Sequence, residues 1–218
     1  MPAEPNSPAA GPVTADDVAE AVLLAVAALT PALDADWDVP AGGLTWTVWE
    51  TGEHLADDLF WYAAHIGPLT PAVDGNLPFG WDRRSPTGPQ NTVTADRDAG
   101  PAALLRVMDA CGGILAAVVR ATPPTARGYH VHDVSDPEGF AAMGVVETLA
   151  HAHDMATGLG VPFEPPADLC ARTLRRLFPD VPGGTEPWPT LLWATGRGDL
   201  EGRERRTQWR WYGAPGAT

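Results

Sequence analysis

Glu147 and His151 stand four positions apart in an apolar stretch, and Asp154 follows seven residues after Glu147. In a helix, residues four apart share one face, with Cβ atoms about 5–6 Å apart, so these two side chains can grip one ion. Metal sites in helical bundles combine carboxylates and histidines from facing helices. His54, in an earlier helical pattern, is the partner we expect. The same spacing also arises by chance, and then makes only an ordinary ion pair.

Two imidazoles and one carboxylate would leave open coordination positions, as a catalytic metal requires. Zinc suits this donor set best, and nickel, iron(II) and manganese(II) also accept it. A metal so held can polarise a carbonyl group or activate water or a thiol. Asp58, one helical turn after His54, is either a hydrogen-bond acceptor for that imidazole or part of a solvated acidic face.

Each of four further residues has two interpretations, one functional and one without a role in the site. His130, in the segment that enters the last long helix, is a general acid or base at the mouth of the site, or simply exposed. Asp154 orients a metal ligand or binds a polar substrate group, or makes a salt bridge. Arg83 and Arg84 contact an anionic substrate or the polar end of a thiol cofactor, or are solvated loop charges.

Composition narrows the chemistry further. The 218 residues include 28 acidic and 14 basic ones, a formal net charge of −14, which disfavours nucleic-acid and anionic membrane partners. No stretch approaches the roughly 18 uncharged apolar residues of a membrane span. There is no Lys, which excludes Schiff-base chemistry. Cys111 and Cys170 are expected to be buried apolar residues. A small-molecule substrate and a metal or external cofactor remain.

Four long helical patterns would position these residues, at 14–30, 47–66, 100–121 and 136–158. Capping boxes begin the first two, at Thr14 and Thr47, and Asp136 followed by Pro begins the fourth. Shorter helices should follow residue 166, and the alternating polar and aromatic residues 207–212 predict a small strand-like tail. The fold class expected is mainly α, a four-helix bundle in a single domain of residues 13–218. Residues 1–12 are typical of a disordered leader rather than a secretory signal, which favours a cytoplasmic location.

Five segments resemble one known family. The segments 36–48 and 54–58, with His54-Leu55-Ala56-Asp57-Asp58, look like the opening of the DinB-like family. The closer branch is the N-terminal domain of mycothiol-dependent maleylpyruvate isomerases, which is actinobacterial. Residues 139–151, together with Asp154, resemble its fourth-helix signature, and 191–197 and 209–211 resemble its closing segments.

This resemblance implies a four-helix bundle with three metal ligands, carried over onto His54, Glu147 and His151. It also implies mycothiol, a low-molecular-weight thiol, as co-substrate in isomerisation or S-transfer, with a metal-activated thiolate attacking a small electrophile. A homodimer is compatible with it. Two alternatives stay open: a thiol-independent metal-dependent hydrolase or lyase, and a non-enzymatic metal-binding protein.

Overall fold

Local capping signals fix where the helices begin. The computed structural model describes residues 11–215, so most of the expected leader lies outside the described residues. The helices are α1 (Ala15–Leu29), α2 (Val48–Ile66), α3 (Pro101–Ala121), α4 (Pro137–Leu159), α5 (Ala167–Leu177) and α6 (Pro187–Ala194). Capping boxes at Thr14 and Thr47 and the Asp136 cap are confirmed. The protein is therefore mainly helical, as predicted.

The four long helices pack against one another around a common apolar core. Helices α1 and α2 each contact both α3 and α4, while α5 joins α4 to α6. The largest fully buried side chains include Trp49, Leu59, Met108, Phe140 and Phe178. Helix α4 is buried along most of its length, so polar side chains on it must find partners inside the protein.

Carboxylates on one face of α2 hold the long connection between α2 and α3. Glu53, almost fully buried, accepts bonds from Arg84 Nε (2.5 Å) and Nη2 (2.6 Å) and from the backbone N–H of Ala95 (2.7 Å). One turn later Asp57 accepts the backbone N–H groups of Thr92 (2.7 Å) and Val93 (2.6 Å). These acidic residues fix the connection onto the helix rather than form a solvated face.

The prediction of a strand-like tail is wrong, and a small hairpin elsewhere was missed. Residues 207–212 form no strand, because no neighbouring strand lies beside them; the backbone N–H of Tyr212 instead donates to the carbonyl of Leu177 (2.8 Å). The described strands are β1 (Gly128–His130) and β2 (Asp133–Ser135), paired antiparallel. Their connection, Val131-His132, lacks the Asn-Gly or Asp-Gly signal that announces a hairpin.

Not all of the apolar side chains of α3 face the core. Ile114, one of the apolar residues in this helical pattern, is 47% exposed. Helix α3 is also long and apolar enough to cross a membrane by length and composition alone, with a mean hydropathy of 1.8 over its most apolar window. The core helix of a soluble protein meets the same criterion, so the helix does not decide between the two environments.

The paired glycines in α3 should respond oppositely to Ala. A Cβ on Gly112 would lie 2.6 Å from a methyl group of Val22, whereas one on Gly113 would meet nothing within 4 Å. We expect Gly113→Ala to stabilise the fold by up to about 1 kcal/mol through helix propensity. Overpacking costs about 1–3 kcal/mol, so Gly112→Ala should be neutral or destabilising. Urea unfolding of both variants checks this; equal stabilisation would show that α1 and α3 are not closely packed there.

Candidate metal centre

His54 lies in the middle of α2, where the helix faces α4. Its Nε2 is 3.4 Å from Asp58 Oδ2, one turn along the same helix. Its ring lies edge-on to those of Trp46 (4.8 Å between centroids) and His151 (5.4 Å). Neither His54 Nδ1 nor Asp58 Oδ2, both buried atoms, makes a hydrogen bond of good geometry within the described structure. The two imidazoles that the sequence predicted to act together are therefore adjacent.

His151 is held by carboxylates on both sides of its ring. Its Nε2 lies 3.1 Å from Glu147 Oε2, one turn earlier on α4, and its Nδ1 lies 3.3 Å from Asp154 Oδ2. The hydroxyl of Tyr62 on α2 donates to Glu147 Oε1 at 3.5 Å. The predicted pairing of Glu147 with His151 on one face of a helix is confirmed as a contact.

Burial sets the protonation of these groups. It lowers the pKa of His54 to about 4, helped by the nearby His151 and opposed by Glu147. Burial also lowers the pKa of His151, but the bonds to Asp154 and Glu147 outweigh it and the net shift is upward. Burial raises the pKa of Asp58 well above its ordinary value, and Glu147 adds to this. Glu147 is shifted the other way: burial is outweighed by His151, and its pKa falls.

Arg197 fixes the position of Asp154, the carboxylate next to His151. It follows α6, and its guanidinium donates to both carboxylate oxygens of Asp154 at 2.8–3.1 Å. Asp154 in turn contacts His151, so Arg197, which follows α6, helps to fix the position of an imidazole on α4. Asp154 thus makes the salt bridge that was one interpretation of this residue. Its contact with His151 also places it where a carboxylate would hold a metal-binding ring in position, which was the other interpretation. No role was predicted for Arg197 from the sequence, although it ends the segment 191–197, which resembles the DinB-like family.

The donor set suits a divalent ion. His54, Asp58 and His151 offer ligand atoms that lie within 4.8 Å of one another. Tetrahedral ligands at about 2.0 Å from zinc are roughly 3.3 Å apart. The donor pairs His54–Asp58 (3.4 Å) and His151–Glu147 (3.1 Å) have this separation. The structure therefore groups the two predicted histidines with Asp58, the residue that the sequence placed beside His54. Glu147, the predicted carboxylate ligand, contacts His151 but lies outside this group.

Two cavities open onto His54 from different sides. The first, here called the polar cavity, has a volume of about 540 Å³. Its lining includes Trp46, Glu147, His151, Asp154, Arg197 and Trp209. The second, here called the aromatic cavity, has a volume of about 200 Å³. Its lining includes Trp61, Tyr62, Phe79, Trp81, Asp58 and His130. A metal at His54 would be reachable from both.

His130, expected near the mouth of the site, lies at the end of β1 and lines the aromatic cavity with His54. It is buried, and its ring contacts those of Tyr62 and Trp211 (both 5.8 Å between centroids). Burial and the neighbouring His132 lower its pKa to about 4, so the ring is neutral at pH 7. The backbone N–H of His132 donates to His130 Nδ1 at 3.3 Å, which assigns the proton to Nε2.

Arg83 and Arg84, predicted to bind a cofactor, are not brought to the centre. Neither lines the polar or the aromatic cavity. The guanidinium of Arg84 donates to Glu53 and to the carbonyl of Ala95. Within residues 11–215, that of Arg83 donates only to the carbonyl of Gly88, at 3.4 Å. Arg84 therefore anchors the long connection between α2 and α3. This role depends on Glu53, which is 31 residues away in the sequence, so no local sequence pattern predicts it.

No known protein family, curated protein or solved structure matches the chain. The DinB-like resemblance therefore stays a prediction that depends on the residues quoted for it. What the structure itself provides is a mainly helical protein in which His54, Asp58 and His151 lie close enough together to hold a metal ion.

Proposed function

We propose that this protein is a divalent-metal enzyme built on a DinB-like four-helix bundle. His54, Glu147 and His151 hold the ion, zinc in the first instance, with nickel, iron or manganese as alternatives. The observation that carries the proposal is the convergence of two imidazoles and two carboxylates from α2 and α4 at the junction of two cavities. A purely structural site would be closed by four protein ligands, and cavities on both sides of His54 argue against closure.

The protonation and positions of the two histidines favour binding of a metal ion. His54 is neutral at pH 7, and metal binding needs a neutral imidazole. Asp154 and Arg197 together fix the ring of His151. A divalent ion bound there lowers the pKa of a thiol or water and polarises a carbonyl group. The residues around it orient the reactants and exclude bulk water.

We propose further that the activated nucleophile is a low-molecular-weight thiol, with mycothiol the probe of choice because of the family resemblance. The protein supplies no reactive thiol of its own. Cys111 and Cys170 are buried, as predicted, and burial raises their pKa to about 11 and about 12. The polar cavity has a volume typical of small-molecule sites, which span about 300–1,000 Å³. Its Arg197, Arg205 and Thr157 offer hydrogen bonds to sugar hydroxyls and amides.

In this reaction the thiol gives up its proton and its sulfur adds to an electrophilic, unsaturated carbon of the substrate. The π bond at that carbon opens, and its electron pair takes up the proton. An S-transferase releases the adduct, whereas an isomerase expels the thiol again after rearrangement. Asp154 and Arg197 hold the metal-side imidazole throughout, and His130 provides a neutral N–H donor on the opposite side of His54.

Elemental analysis of protein purified without immobilised-metal chromatography, followed by turnover of electrophiles with and without mycothiol, tests the proposal. We expect about one divalent ion per chain and turnover that requires both metal and thiol. Turnover with metal alone would replace the thiol mechanism by a hydrolase or lyase acting through water. A bound ion without turnover of any electrophile would favour a non-enzymatic metal-binding protein, and absence of metal after incubation with each ion would refute the centre.

A further inference from the structure

The aromatic cavity differs from the polar cavity in both shape and charge. Rings from two parts of the chain form it: Trp61 and Tyr62 from α2, and Phe79 and Trp81 from the long connection that Glu53 and Asp57 hold in place. Phe79 packs against Phe60 of α2 with 5.6 Å between centroids, which fixes its position. Flat apolar walls of this kind recognise planar unsaturated molecules.

The rim of this cavity exposes apolar surface that packing does not require. Trp81 and Val131, which both line it, are each 58% exposed, and they come from the long connection and the β-hairpin respectively. Large exposed apolar groups gathered around a concave site mark a binding surface. The rim therefore adds an observation independent of the aromatic walls.

The charges that line the cavity exclude anions. Among the described residues of the lining there is no Arg, while Asp57 and Asp58 both belong to it. An anionic ligand would lose its hydration without a cation to pair with. The two carboxylates at the centre, Asp58 and Glu147, offset the charge of a divalent ion bound by His54. Arg197 and Arg205, by contrast, line the polar cavity.

Several polar groups remain to orient a ligand. The lining contains His130, Asn76, Gln90 and Thr92, and His130 carries its proton on Nε2 because its Nδ1 accepts from the backbone of His132. Neutral donors among aromatic walls suit a carbonyl oxygen attached to an aromatic ring or a conjugated system. The volume of about 200 Å³ limits the ligand to about one substituted ring.

We propose that the aromatic cavity binds the electrophilic substrate, and that this substrate is a small, uncharged aromatic or conjugated carbonyl compound rather than a carboxylate. The thiol then enters from the polar cavity, and the two reactants meet at His54, which borders both. This assignment rests on the proposed function for the identity of the reactants, but the ligand preference of the cavity can be measured by itself.

The test uses acetophenone, a neutral aryl ketone, and 4-acetylbenzoate, the same ketone with a carboxylate. Affinities are measured by ligand-observed NMR on full-length, metal-loaded protein. We expect acetophenone to bind at least about tenfold more tightly. Trp81→Ala should weaken acetophenone about fivefold, the scale of one aromatic contact. Trp209→Ala, which removes a partly exposed Trp from the polar cavity, is the matched control and should leave acetophenone binding unchanged.

The second part of the test is a variant designed to gain affinity for the carboxylate ligand. Val131→Arg adds a cation at an exposed position on the rim and should raise the affinity for 4-acetylbenzoate several-fold. Equal or tighter binding of 4-acetylbenzoate by the wild type would overturn the proposal, as would an effect of Trp209→Ala but not of Trp81→Ala. Metal is measured on the same samples. Metal-loaded protein without the ketone preference refutes this inference alone, whereas the preference in protein that binds no metal refutes the proposed function alone.

Discussion

Replacing His151 with Ala is expected to reduce bound metal to background, whereas replacing His153 with Ala should leave it unchanged. His151 is buried between Glu147 and Asp154. His153 lies about 200° further around the helix and packs edge-on against Trp188 at 5.7 Å. Even residues behind a metal ligand alter affinity by roughly 10–100-fold, so loss of a ligand should exceed about 100-fold. Chelator competition and elemental analysis measure both variants, with circular dichroism as the check on folding.

The same measurement decides which carboxylate binds the metal. Glu147→Gln and Asp58→Asn each remove one negative charge and little volume. The pKa of Glu147 is lowered and that of Asp58 is raised, so Glu147 is the more readily ionised of the two carboxyl groups. We expect the larger loss of affinity from Glu147→Gln. A larger loss from Asp58→Asn would assign the third ligand to Asp58, and equal metal content in wild type and His151→Ala would refute the centre altogether.

Glu53→Ala is expected to destabilise the fold by about 2–4 kcal/mol. Removing one partner of a buried ion pair costs about 3–5 kcal/mol, but the Arg84 side chain is 35% exposed, so solvent recovers part of that. The backbone N–H of Ala95 also loses its acceptor. Urea unfolding gives the change in free energy of unfolding, and hydrogen exchange at Ala95 shows whether the long connection opens first.

Arg83→Ala is the matched control for this result. Arg83 adjoins Arg84 in sequence, but its guanidinium makes only a long bond of 3.4 Å to the carbonyl of Gly88, so stability should change by less than about 0.5 kcal/mol. Equal destabilisation by Glu53→Ala and Arg83→Ala would show that the loop is held by something other than the Glu53 pair. Because Phe79 and Trp81 belong to this connection, Glu53→Ala should also weaken acetophenone binding.

The helices were predictable because their signals are local. A capping box needs only residues three positions apart, and Thr14 and Thr47 begin α1 and α2 where the pattern places them. The contact of Glu147 with His151 follows in the same way from helical spacing. Burial of Cys111 and Cys170 also agreed with expectation, since apolar neighbours at helical intervals surround both.

The errors occurred where distant residues decide the conformation. Residues 207–212 alternate like a strand, but pairing requires a second strand that the fold does not place there. Ile114 fits the apolar periodicity of α3 and still faces solvent, because the neighbouring helices leave that side uncovered. From the sequence alone, Arg84 could be a solvated charge in a loop, but the fold places it beside Glu53, with which it forms an ion pair.

The sequence by itself determined the helical class, the helix starts and the pairing of His151 with Glu147, because each depends on residues within about one helical turn. Tertiary structure alone decided that His54 and Asp58 of α2 meet His151 of α4, that Arg197 fixes Asp154 from 43 residues away, and that two cavities of opposite character meet at His54. These features depend on which helix faces are brought together, and that depends on the packing of the whole core rather than on any local spacing.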